Sequence, residues 1–179
     1  MKVILSVLLF AGVSLSQVCS GMASRHAFET AASASNTQVF WSEEVGRLES
    51  GETYADFIAF SVANPADFGH QLRGIRLDLG EPGHKQVVYI ESMDVAALRS
   101  RADWLARSAK KYPNETHPFV VGGARDDPRC PFDLTYQHSG NDSILYLRTT
   151  EPFHQFAFAG AAPSDLVTIL DRAAKALKR

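Results

Sequence analysis

The sequence predicts an α+β fold, in which antiparallel β-sheet carries two helices, arranged as two successive ββββα halves. Three observations predict it. Short apolar or alternating runs are separated by Gly, Pro and Asn turns, the pattern of consecutive antiparallel strands. Two longer segments switch to helical spacing, one between Ser92 and Pro113 and one from Pro163 to the end of the chain. The order of the two kinds of segment is the same in both parts of the chain, four strands and then one helix.

The first twenty residues stand apart. Lys2 precedes an apolar run from Val3 to Leu15, and the small residues Ser14, Ser16, Ser20, Gly21 and Ala23 follow. This order of charge, apolar stretch and small-residue exit predicts a signal peptide over residues 1–20 and an exported mature protein. The run of 13 residues is shorter than the roughly 20 that a spanning helix needs, so no transmembrane anchor is expected after cleavage. Cuts after Ser16, Ser20 or Ala23 all satisfy the small-residue rule. Cys19 raises lipidation as an alternative, but Ser16-Gln17-Val18 before it is a poor lipobox. A cut after Ser20 leaves Cys130 as a single thiol, and a Cys19–Cys130 disulfide survives only a cut after Ser16.

Export after residue 20 leaves 159 of the 179 residues, enough for one ordinary domain. Residues 21–37 are small and polar and read as a flexible lead-in; residues 38–179 read as a single domain, with pseudo-repeat halves at 38–112 and 118–179. The formal charge of −2 becomes −3 when Lys2 is lost, which argues against nucleic-acid binding by phosphate neutralisation. A hydrophobic content of 45% is that of a folded domain rather than a disordered chain.

Element by element, Val39–Leu48 and Tyr54–Val62 form a hairpin across the Gly51 loop. The second strand is apolar on both faces and is expected inside the sheet. Asn64-Pro65 ends it. Ile75–Leu79 alternates, turns at Glu81-Pro82-Gly83-His84 and returns as Gln86–Ile90. Ser92 opens a helix whose stripe is Val95, Leu98, Ala102, Leu105 and Ala109, ended by Pro113. Phe119–Val121, Phe132–Tyr136, Ile144–Thr149 and His154–Ala159 follow as strands. Pro163 and Ser164-Asp165 open the closing helix, with Leu166, Ile169, Leu170, Ala173 and Leu177 on its buried side.

The duplicated ββββα plan resembles the layout of the PUR and Whirly single-strand nucleic-acid binders, at the level of topology and over the mature chain, with no accompanying sequence motif. The resemblance implies a ligand held on a sheet surface. Such a surface needs exposed aromatics flanked by Lys and Arg, and these strands carry few basic residues.

The sequence carries no signature of catalysis. No metal-ligand spacing links His26, His70, His84, His117, His138 and His154, and there is no CxxC, Gly-x-Ser-x-Gly or phosphate-cradling glycine motif. No cofactor, metal site or catalytic residue is therefore assigned. A small secreted hydrolase built around Asp126, Asp127, His138 and His154 is the enzymatic alternative, with the two histidines meeting across neighbouring strands. It requires a His with a carboxylate in hydrogen-bond reach. Binding residues are expected in two places. One is the irregular loop holding Arg125, Asp126, Asp127 and Arg129, the longest in the domain. The other is Trp104, which falls about a quarter-turn off the buried stripe of its helix and so is either a partner anchor or the edge of a wide buried face. The function expected is a binding module of the cell envelope whose partner is another protein, in the manner of a periplasmic inhibitor or immunity protein.

Overall fold

The computed structural model describes residues 22–113, 115, 118–121, 132–139, 142–150 and 153–179. Residues 1–20, where a signal peptide is expected, and the loop with Arg125, Asp126, Asp127 and Arg129 lie outside the described residues. The fold is α+β, built among the described residues from two antiparallel sheets and three helices.

Sheet A is a meander of β1 (Val39–Ser50), β2 (Thr53–Asn64), β3 (Asp67–Glu81) and β4 (His84–Glu91), in that order. Sheet B repeats the plan with β5 (Phe119–Val121), β6 (Phe132–Ser139), β7 (Asp142–Thr150) and β8 (Phe153–Ala159). Helix α2 (Ser92–Lys111) follows sheet A and α3 (Pro163–Ala176) follows sheet B. The tight turns of both β1–β2 and β3–β4 use a glycine at positive φ, Gly51 at 60° and Gly83 at 79°, where a side chain would be strained. As its two-sided apolar sequence requires, β2 is an interior strand; Ala55, Phe57 and Ala59 face the core while Phe60 and Val62 fill the opposite face.

One core joins both halves. Phe57, Ile75, Leu77 and Leu79 of sheet A pack with Leu134, Leu147, Phe156 and Phe158 of sheet B and with Val95, Leu105, Leu166 and Leu170 of the helices. Strand β8 runs against β1, β2 and β3, so the second sheet closes one end of the first. Helix α3 presses so near β1 that a Cβ on Gly46 would lie 2.6 Å from Ile169. Asp165 Oδ2 accepts from the Ala162 N–H at 2.9 Å, satisfying a donor at the helix start. Arg99 of α2 and Asp171 of α3 pair at 2.9 Å, and the Arg99 guanidinium holds the Asp171 carboxyl below the usual carboxylate range. Both groups are solvent-exposed, so the pair adds little to stability.

Three features depart from the sequence reading. Residues 22–33 are helix α1 (Met22–Ser33), not a flexible lead-in. Phe28 (1% exposed) and Ala31 sink into the outer face of sheet A among Phe60, Val62, Leu72 and Tyr89. Sheet A is thus covered on both faces, and among the described residues α1 adds a third helix to the two expected. Strand β3 begins at Asp67, well before Ile75, because Leu72 and Arg73 still pair with Val62 and Ser61 of β2.

The α1 contact is titratable. Burial raises the Tyr89 phenol above its ordinary value, with Asp78 and Glu29 adding to the effect and Arg76 opposing it. The folded protein therefore keeps this proton to higher pH than the unfolded chain does. Stability from this group is complete below the ordinary value near 10 and declines as the pH climbs through the folded-state value. Alkaline titration should release α1, read as loss of helical circular dichroism that tracks phenolate absorbance. In Tyr89→Phe the helix should stay docked over the same pH range; release at unchanged pH in that variant would refute the assignment.

Candidate functional site

Trp104 lies on the far side of α2. At about 100° per residue it is roughly 140° from the mean direction of Val95, Leu98, Ala102 and Leu105, all of which are buried. This corrects the quarter-turn placement, and the wide-buried-face alternative falls with it, since Trp104 is 38% exposed. Three turns earlier on the same side stands Met93, also exposed. Ala97 and Ser100 lie between them and are small, so the side presents two bulky apolar ends and a low middle. Arg107 and Asp103, paired at 3.0 Å, border Trp104.

The histidines behave differently from expectation. His138 and His154 do not meet. The register sets His138 opposite Ser143 and His154 opposite Thr149 on β7, which separates them by six residues, about 20 Å of strand. His138 is buried, its ring flanked by those of Phe119 and Tyr136.

His154 instead reaches across to sheet A. Its Nε2 lies 2.7 Å from Glu81 Oε1, and its ring stacks on His84 with centroids 3.8 Å apart. Beside it, the Thr149 hydroxyl donates to Gln86 Oε1 at 2.9 Å, and Phe156 closes the group from the core side. Glu81, His84 and Gln86 flank the β3–β4 turn, whereas Thr149, His154 and Phe156 belong to sheet B. The cluster is a polar joint between the two halves. Stacked imidazoles hold their nitrogen lone pairs in parallel planes, an arrangement that does not converge on one ion. Among the described residues, no group of three or more His, Cys, Asp or Glu is placed to hold a metal.

Two arginines on the outer face of sheet A are paired with carboxylates. Arg47 pairs with Asp56 and Glu49 at 3.0 Å, and Arg76 makes two short bonds to Asp78 at 2.6 and 2.7 Å. On the outer face of sheet B, Arg148 Nε donates to Gln155 Oε1 at 2.6 Å.

Sequence reasoning missed one feature. The inner face of sheet A changes character beyond the end of α3, where Trp41, Glu43, Gln71 and Arg73 line an open cleft of about 460 Å³ together with Ser42 and Arg179. Arg73 falls outside the strand assigned from the sequence. The available signal was parity: Arg73 is two residues before Ile75 and so shares its face.

Comparison with protein families, curated proteins and solved structures finds no match to this chain. Among the described residues, no helix is long and apolar enough to cross a membrane.

Proposed function

We propose that this chain is an exported binding module of the cell envelope that acts by docking another protein, as an inhibitor or immunity-type protein does. The observation that carries the reading is the exposed Trp104 on the solvent side of α2. Tryptophan is a costly residue to leave in water and a frequent anchor of interfaces. Met93 on the same side extends the apolar contact, and the leader-like residues 1–20 supply the argument for export.

The mature chain from residue 21 is the bait for affinity capture from its native envelope extract, with mass spectrometry of the retained proteins. One stoichiometric partner should be retained by the wild type, and Trp104→Ala should weaken that capture by roughly tenfold or more, the effect of truncating an interface anchor. A well-folded bait that retains no partner would refute the reading.

A second reading, a small secreted hydrolase, draws on the His154–Glu81 contact, the histidine–carboxylate pair that such chemistry needs. The neighbouring hydroxyl, that of Thr149, is committed to Gln86 and the backbone of His154. The pair is better explained by adhesion between the halves, and binding remains the favoured reading. The carboxylate-paired Arg47 and Arg76 on the outer face of sheet A weigh against a nucleic-acid ligand there.

A further inference from the structure

We propose that the cleft at the end of α3 is a binding site for a small organic monocarboxylate with a planar apolar body. It is a surface separate from Trp104, and the inference goes beyond the protein-docking reading. Through most of its length the inner face of sheet A is apolar: Phe57 pairs with Leu77, and Ala59 with Ile75. One row further on, Trp41 pairs with Ser61 and Ser61 with Arg73. The last turn of α3 stops short of this row, which leaves a cleft of about 460 Å³ walled by Trp41, Gln71 and Arg73. That volume is at the small end of ligand sites.

Charge and hydrogen-bond capacity select the ligand. Arg179 Nη1 lies 2.6 Å from Glu43 Oε2, so these two charges cancel. Among the described residues, Arg73 has no carboxylate partner. Its Nη1 donates to the carbonyl of Leu177 at 3.1 Å, which fixes the guanidinium at the helix end and leaves its other N–H groups for a ligand. Gln71 accepts from Ser61 through Oε1 at 2.8 Å, so its amide NH2 is turned to donate. One uncompensated, anchored guanidinium with an amide donor beside it matches a carboxylate. A dianionic phosphate would set its second charge against Glu43 with no second cation to offset it. The indole of Trp41 gives a flat apolar wall, and such walls favour planar ligand bodies.

The test is a titration of the full mature chain with naphthoate and, separately, with the neutral naphthamide, followed in proton–nitrogen correlation spectra. The chain has two tryptophans, Trp41 and Trp104, hence two indole N–H signals. Naphthoate should shift the Trp41 signal saturably and leave that of Trp104 in place. Naphthamide should bind at least about tenfold more weakly, as expected for loss of a charged hydrogen bond. Arg73→Gln should weaken naphthoate by a similar factor, while Glu43→Gln, which frees Arg179, should tighten it several-fold. Absence of a saturable Trp41 shift up to about 10 mM, or equal binding of acid and amide, overturns the proposal. The amide comparison uses wild-type protein, so a folding defect in either variant leaves the decision intact.

Discussion

Replacing Gly74 by alanine is expected to strip α1 from the sheet and to cost roughly 3 kcal/mol, the upper range for forcing atoms into a filled site. A Cβ there would lie 2.3 Å from the Ile90 carbonyl oxygen and 2.3 Å from Cε1 of Phe28. The two obstacles differ in kind. Phe28 belongs to α1 and can leave with it, whereas the Ile90 carbonyl is part of β4 and moves only if the β3–β4 ladder distorts. Phe28→Ala in the same background should therefore recover the part due to the ring and none of the part due to the backbone. Chemical denaturation measures the stability, and proteolysis within residues 22–33 reports release of the helix. A Gly74→Ala protein within about 0.5 kcal/mol of wild type, the scatter of ordinary surface changes, would refute this account of α1 docking.

Phe156→Ala should destabilise the protein by about 3–5 kcal/mol, the usual cost of deleting a buried phenyl ring. Phe156 is completely buried, lies in the core shared by both sheets and touches the His84–His154 stack. Loss of the ring opens a cavity between the halves and removes the packing beneath their polar joint. Unfolding followed by tryptophan fluorescence and by circular dichroism should remain one transition at lower denaturant, because residues of both halves line the same cavity. Two separated transitions, with only that of residues 118–179 displaced, would mean that the halves fold independently.

What the sequence made legible was the part governed by local pattern. The β1–β2 hairpin, the central place of β2, the stripes of α2 and α3, and the repeated ββββα order all follow from alternation, turn residues and helical spacing. Helix α1 was illegible because its segment is small and polar, with Phe28 and Ala31 as its main buried contacts; what fixes it is the space left by Gly74, more than forty residues away. The start of β3 escaped because Gly69 and Gly74 interrupt its alternation. The candidate sites suffered most. Trp104 could be singled out, but how far it is exposed is a three-dimensional fact. The His84–His154 stack and the Trp41–Arg73 cleft each join residues of different strands, whose proximity no linear spacing encodes.

The sheet order itself has a kinetic consequence. In both sheets every hydrogen-bonded neighbour is also the neighbour in sequence, so each pairing closes only a short loop. Sheet A and α2 can assemble as soon as residues 38–111 have emerged from a ribosome, since among the described residues no later strand joins sheet A. The slow, entropy-laden step is left to the end, when β8 is laid across β1–β3 and α3 settles against α2. Until then Phe57, Leu77 and Leu105 face water, and the half-finished molecule is at its most exposed to aggregation.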